Sequence, residues 1–334
     1  MRHPPPRLTN AAEEMPGTDR RSVRRDIAAS WSTWVGLVVA VVAFASPGRA
    51  QVRGVYPLGM NATNSGVTPG AGFSYANALL FYSRDQLRGP NGEVLATGRQ
   101  SVLMDLNTLV WVGDSEIWLL GGAVPSASAT VPVANNSLTA NGRGELSGGE
   151  GLADSYYQPL ILAWRKPRAD VRAVYGFLAP TGKFSAGAND NVGSGYWTST
   201  VSGGETFYLT ENKATALSAF QMYEFHTEQE GTGIHPGDTF NLDYSLTQTF
   251  ALHEALRLQL GLVGYNQWQT RDKTGPNVTP TEASAHYVVN ALGFACNVVL
   301  PVWKVNTGFK YFKEFENRST FQGYSLQFTV AVKF

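Results

Sequence analysis

Eight polar or charged side chains in the second half of the chain have types suited to binding and orienting solutes. They are Asp243, Arg257, Gln259, Gln267, Asp272, Lys310, Gln327 and Lys333. Most of them alternate with apolar residues, so in extended segments they would share one face. Charged groups are costly toward hydrocarbon but acceptable in a hydrated interior, where they select solutes or brace the wall through ion pairs. We interpret the eight residues as candidates for lining a pore.

A second group of titratable residues surrounds one predicted loop. His226 and His235 flank this loop, and Glu224, Glu228 and Glu230 lie close to them in sequence. Imidazole and carboxylate groups can bind a cation, but the close spacing typical of metal ligands is missing. A solvated acidic loop is the simpler interpretation, and we predict no metal site.

Nucleophilic catalysis needs a nucleophile beside a positioned base. No serine stands in a nucleophile-elbow motif. The single cysteine, Cys296, lies in an alternating segment typical of packing, and one cysteine cannot form an intrachain disulfide. The sequence therefore predicts no catalytic residues, no cofactor and no enzyme activity, with a hydrolase kept as an alternative.

The clearest element that could position such residues is the segment 323–334. One face carries Tyr324, Leu326, Phe328, Val330, Val332 and Phe334, and the other carries Ser325, Gln327, Thr329, Ala331 and Lys333. A period of two indicates a β-strand. We expect Phe328 to face lipid and Gln327 an interior, so that arginine is costly at Phe328 and tolerated at Gln327. The final aromatic residue, Phe334, is expected to act as an assembly signal.

The same pattern recurs and predicts twelve strands. Their ranges are 73–83, 101–112, 115–123, 157–165, 171–179, 197–209, 215–226, 239–250, 256–262, 285–299, 302–315 and 323–334. Long and short connections alternate between them, which is typical of outer-membrane barrels and not of Greek-key sandwiches. We predict an all-β fold, a transmembrane antiparallel up-and-down β-barrel of about 12 strands, with a range of 10–14. The 124–156 connection has room for one further hairpin.

The N-terminal region predicts export. Basic residues precede an apolar run at 34–45, and small residues follow it, as in a signal peptide with cleavage near Ala50/Gln51. We therefore expect an N-terminal extension and signal peptide at 1–50. Residues 51–72 are expected to form a periplasmic segment or a partial plug, and 73–334 the barrel. The predicted location is the outer membrane of a Gram-negative bacterium.

Composition excludes several classes of function. The chain has 26 basic and 26 acidic residues, and without residues 1–50 its net charge falls to about −3, so nucleic acid is not an expected partner. The mean hydropathy is −0.15, and a second long apolar run is missing, which argues against a helical membrane domain. Alternating strands average out in hydropathy and stay compatible with these values.

Several short motifs, in order, resemble those of one family. They are Pro180-Thr181-Gly182 with Phe184, Glu228 to Gly231, His235 to Asp238, Gly264-Tyr265 with Gln267, Gln269 and Asp272, and Gly308 to Tyr311. The stretch 70–334 thus resembles the MetA-pathway of phenol degradation family of outer-membrane transporters. The resemblance implies an outer-membrane barrel associated with the passage of small, often aromatic or hydrophobic, compounds. It supplies no binding residues.

These observations predict a channel for passive passage of small hydrophobic or aromatic compounds. Its expected partners are a small-molecule permeant, outer-membrane lipid and the barrel assembly machinery. An outer-membrane hydrolase and a structural or adhesive surface barrel remain the alternatives. Aromatic residues near the loops, Tyr156, Tyr157, Tyr196 and Trp197, are expected to form an interfacial girdle.

Overall fold

A computed structural model describes residues 53–141 and 144–334. These residues form a closed antiparallel β-barrel. Its strands are β1 (Gly72–Arg88), β2 (Val94–Val112), β3 (Val124–Ala140), β4 (Gly144–Leu152), β5 (Ser155–Arg165), β6 (Ala169–Ala179), β7 (Thr198–Tyr208), β8 (Thr215–His226), β9 (Thr239–His253), β10 (Leu256–Gln269), β11 (Val288–Leu300), β12 (Val305–Glu314) and β13 (Phe321–Lys333). The predicted signal peptide, residues 1–50, lies outside the described residues.

Twelve strand positions close the barrel, although the described residues form thirteen strand segments. Strand β1 pairs with both β2 and β13, which joins the two ends of the sheet. Strand β3 pairs with β4 along its second half and with β5 along its first half, so β4 and β5 occupy one position. Closure pairs the first strand with the last, as a sheet in lipid requires, while β4 pairs with β3 alone. The predicted up-and-down barrel of twelve strands is therefore confirmed.

The predicted third strand, at 115–123, is wrong. These residues form a turn with a short 3-10 helix, Trp118–Leu120, followed by Gly121 and Gly122 at φ 68° and 79°. Two successive left-handed residues reverse the chain and cannot continue a strand. The third strand is β3, which lies in the predicted 124–156 connection and forms a hairpin there with β4.

Strict alternation of connection length is also wrong. We call the end of the barrel that carries residues 180–197, 227–238 and 270–287 the loop end, and the opposite one the turn end. At the loop end, β1 joins β2 through only five residues, 89–93. Strands β1 and β2 extend beyond their predicted limits of 73–83 and 101–112, and their added residues lack the apolar alternation on which the prediction depended.

Within the described residues, a five-residue α-helix, α1 (Pro280–Ser284), lies between β10 and β11 and is capped by Thr279 and Glu282. No helix among the described residues is long and apolar enough to cross a membrane.

Side chains alternate between an apolar outer surface and a largely polar lumen. On β13, Phe328 points outward and is 50% exposed, whereas its neighbour Gln327 points inward and is 0% exposed. On β9, Leu246 points outward while Asn241 and Asp243 are fully buried in the lumen. An outer surface of exposed leucine, valine and phenylalanine side chains is what a lipid-facing wall requires.

Replacing Phe328 by arginine is expected to lower the free energy of unfolding by about 2–4 kcal/mol, because a cation at mid-bilayer depth loses its hydration. Urea unfolding of the barrel in lipid vesicles measures this loss. The matched control is Thr329→Arg, whose side chain points into the lumen and is only partly buried. Equal losses for the two variants would contradict the assignment of faces.

Candidate functional site

A stretch of chain that precedes β1 occupies the lumen. We call residues 53–69 the lumen segment. At the loop end, Arg53 bonds Glu314 of β12, and near the turn end the backbone N–H of Gly66 donates to Thr206 of β7. The lumen segment therefore runs along the barrel axis and reaches the turn end, where β1 begins.

Glu224 of β8 holds the first part of the lumen segment. Its two carboxylate oxygens accept the backbone N–H groups of Val55 and Tyr56, each at 2.9 Å, and the Asn241 amide at 3.0 Å. A Cβ atom at Gly54 would lie 2.5 Å from Glu224 Oε2, so only glycine allows this approach. The carboxylate is fully buried and its charge is stabilised by these donors.

Asp243 of β9 holds the middle of the lumen segment. It accepts the Tyr56 hydroxyl at 2.6 Å, the Gly59 N–H at 3.0 Å and the Asn61 N–H at 3.1 Å. The chain turns here, with Gly59 at φ 82° and the Met60 N–H donating to the Pro57 carbonyl at 3.2 Å. One carboxylate thus satisfies three donors of a tight turn.

Two donors from the wall bind the carbonyls of the same turn. Lys310 Nζ of β12 donates to Gly59 O at 2.8 Å and to Met60 O at 2.6 Å. Gln327 Nε2 of β13 donates to Leu58 O at 2.7 Å. Because Gln327 is fully buried against this turn, we expect its replacement by arginine to displace the turn, in place of the tolerance expected from the sequence alone.

The Arg53–Glu314 pair anchors the lumen segment at the loop end. Arg53 Nη1 and Nη2 lie 2.6 and 3.0 Å from the two carboxylate oxygens, and Arg53 also donates to the Phe321 carbonyl. Glu314 further accepts the Tyr265 hydroxyl at 3.1 Å and the Gly323 N–H at 2.9 Å. A bidentate, fully bonded pair compensates for burial of both charges.

Apolar contacts complete the packing of the lumen segment. Tyr56, Leu58 and Ala62 belong to a buried cluster whose wall members are Phe220, Met222, Val263, Tyr265, Tyr287, Val289, Ala291, Ala295 and Phe312. One sector of the lumen is therefore apolar, which the polar residues of the alternating pattern do not predict. The signal was an aromatic residue in a polar register, as at Phe312 between Lys310 and Glu314.

The eight predicted pore-lining residues separate into three groups. Asp243, Lys310, Gln327 and Gln259 contact the lumen segment, the last through Asn64 at 3.0 Å. Gln267 is buried against Asn241 at 2.7 Å, and Lys333 Nζ lies beside Gly70. Arg257 is exposed at the turn end, and Asp272 is exposed in a loop-end connection, bound to His286 at 2.7 Å. The structure thus brings six of the eight to the lumen interior.

The residues around the 227–238 connection do not form a joint site. His226 is buried, with Nδ1 2.9 Å from Thr198 Oγ1 and Nε2 3.5 Å from Glu224. His235 instead contacts the Pro236 carbonyl at 2.8 Å. Across residues 53–141 and 144–334, no group of three His, Cys, Asp or Glu side chains is arranged to hold a metal ion.

The four aromatic residues expected in an interfacial girdle divide between the two faces. Tyr157 stacks on Phe177, which also contacts Trp197, on the outer surface. Tyr156 instead bonds Thr200 inside the barrel at 2.9 Å, and Tyr196 is buried against His226. Tyr156 and Tyr157 point to opposite faces because they are consecutive residues of one strand.

Comparisons with known proteins agree with this fold. The family described as MetA-pathway of phenol degradation matches residues 84–330. An outer membrane channel from Pseudomonas putida F1 gives a TM-score of 0.66 at 12% identity, covering 80% of this chain and 97% of that one. The β domain of the Bordetella autotransporter BrkA gives 0.54 at 14% identity, covering 79% and 100%. At these identities the two structures establish the fold alone. The search of curated proteins gives no match.

Replacing Glu224 by glutamine is expected to loosen the start of the lumen segment. The new amide keeps one acceptor oxygen and places a donor against the N–H of Val55 or Tyr56. Loss of a charge-assisted hydrogen bond should speed exchange of that amide hydrogen by about 10- to 100-fold. Hydrogen exchange with residue-level detection measures it, and Glu205→Gln, on the outer face, is the control. Unchanged exchange at both amides would show that Glu224 does not hold the segment.

Proposed function

The chain belongs to the MetA-pathway of phenol degradation family, and we propose that it forms an outer-membrane channel for small hydrophobic or aromatic compounds. In this proposal the lumen segment closes the channel, and its displacement opens a path along the barrel axis. Solutes then move passively down their concentration gradient. The apolar sector of the lumen is the observation that carries the proposal.

Displacement of the lumen segment would leave a bore lined by polar side chains on part of its wall and by this apolar sector on the rest. Phe220 and Phe312 are both buried inside the barrel against side chains of the lumen segment. Exposing the apolar surface of these two rings to water would cost about 25 cal/mol per Å². An apolar solute that replaces the lumen segment covers the rings and avoids this cost. A bore selective for ions would instead place rings of charge at its constriction.

The outer surface supports an outer-membrane location. Leu262, Leu292 and Phe294 point away from the lumen and are exposed on neighbouring strands. Such a surface is stable in hydrocarbon, and pairing of β1 with β13 closes the sheet as lipid requires. Export through the predicted signal peptide, with cleavage near Ala50, is part of the proposal.

A catalytic role has weaker support. Thr198, His226 and Glu224 are in contact, which is the order of groups in a hydrolase triad. However, Thr198 is 0% exposed, and Glu224 already accepts two backbone N–H groups of the lumen segment. A nucleophile must reach its substrate, so we propose that this chain is not an enzyme.

Deleting residues 53–69 is expected to convert a mostly closed barrel into a continuously conducting one, because the hydrogen-bonded occupant of the lumen is gone. Planar-bilayer conductance measures the opening. In whole cells of a strain that lacks the protein, the full chain should restore uptake of radiolabelled toluene and leave uptake of a sugar of similar size unchanged.

The control for both measurements is Asp272→Asn, which alters an exposed loop-end residue and should behave as the full chain does. If the deletion variant does not fold, Asp243→Asn weakens the same occupant without shortening the chain. If the full chain leaves uptake of both toluene and p-cresol unchanged, in cells where the folded barrel is present, the proposed function is overturned.

A further inference from the structure

Tyr56 places a phenol group in a well-defined site in the lumen. Its hydroxyl donates to Asp243 Oδ2 at 2.6 Å and accepts from the Asn61 backbone N–H and side-chain amide, each at 3.0 Å. Its ring lies 5.3 Å from the Phe220 ring at an interplanar angle of 32°. The whole residue is 8% exposed. The site therefore recognises both the hydroxyl and the ring.

The walls of this site belong to the barrel, and Tyr56 does not. Asp243 lies on β9 and Phe220 on β8, opposite each other in the strand ladder. Arg172 of β6 lies 5.8 Å from the Phe220 ring and donates to Asn61 Oδ1 at 2.8 Å. When the lumen segment leaves, these wall groups remain and the phenol is removed. Asp243 then faces the lumen without its three donors from the segment.

We propose that this site binds free phenolic compounds in the position that Tyr56 occupies, with the hydroxyl donated to Asp243 and the ring on Phe220. Tyr56 is then an internal copy of the ligand, and a phenol in the channel competes with it. This inference rests on the proposed channel function and narrows its substrate class to hydroxylated aromatic rings.

Competition also gives the ligand a role in opening. A ligand shifts an equilibrium only if it binds one state better than the other. The Asp243 site is filled in the closed state and free in the open state, so a phenol binds the open state alone. Toluene has the ring without the hydroxyl and leaves the buried carboxylate unsatisfied, so it should bind about 10- to 100-fold more weakly.

The tyrosines of the wall offer a contrast. Tyr265 bonds Glu314, and Tyr287 bonds Thr239, but both are fixed parts of the barrel or its loops. Within residues 53–69, Tyr56 is the sole tyrosine. It is therefore the phenol group that withdrawal of the lumen segment carries away from the wall.

Calorimetry of p-cresol binding to the purified, folded barrel in detergent tests the inference. Tyr56→Ala in the full chain should bind p-cresol at least tenfold more tightly than the unmodified chain, because the internal competitor is gone. Adding Asp243→Asn to Tyr56→Ala should abolish this gain, and toluene should bind Tyr56→Ala much more weakly than p-cresol does.

Tyr56→Phe provides a milder variant should Tyr56→Ala fail to fold. It keeps the ring and removes the hydroxyl, and it should also strengthen p-cresol binding. Its matched control is Tyr208→Phe, which removes a hydroxyl bonded to Asp170 at 2.6 Å outside the lumen segment and should leave binding unchanged.

Three outcomes would overturn the inference: no gain in either Tyr56 variant, a gain that Asp243→Asn leaves intact, or equal affinity for p-cresol and toluene. Toluene uptake by cells is measured separately. Uptake without a p-cresol site overturns this inference alone, whereas p-cresol binding without uptake of any aromatic compound overturns the channel function.

Discussion

A peptide segment inside a closed barrel needs side chains to satisfy its backbone, because the backbone of the wall is already paired within the sheet. Buried N–H and C=O groups without partners are costly. Here Glu224 and Asp243 accept the N–H groups of the lumen segment, and Lys310 and Gln327 donate to its carbonyls. Four wall side chains thereby replace the neighbouring strand that an extended segment would otherwise require.

This requirement also explains the burial of charge in the lumen. Carboxylates and an ammonium group are retained inside the barrel because each has several bonded partners on the segment or the wall. The same groups would face water if the segment left. Their hydration then offsets part of the lost bonding, so the occupied and vacant states differ by less than the number of hydrogen bonds suggests.

Much of the fold could be predicted from the sequence, because period-two alternation reports directly which face meets lipid. Strand β8 was predicted at its observed limits, 215–226. The third strand was misplaced because β3 carries small and polar residues on both faces, and only the pair Gly121-Gly122 marked the turn before it. The alternating pattern predicts which side chains face the interior of the barrel, but it does not predict what fills that interior. Asp243 and Lys310 were identified as inward-facing, while their partner, the lumen segment, has no periodic pattern to reveal it.

The lumen segment continues directly into β1 at the turn end, where Gly72 begins the strand. It therefore stays tethered when it leaves the site, and an extended chain of this length can span about 60 Å. A tethered group returns to its site at an effective concentration on the order of millimolar for a short flexible link. Any competitor for Asp243 must match that concentration or exceed Tyr56 in affinity. The length of the link to β1 therefore sets a threshold concentration of competing ligand. Below that concentration the lumen segment stays in the barrel.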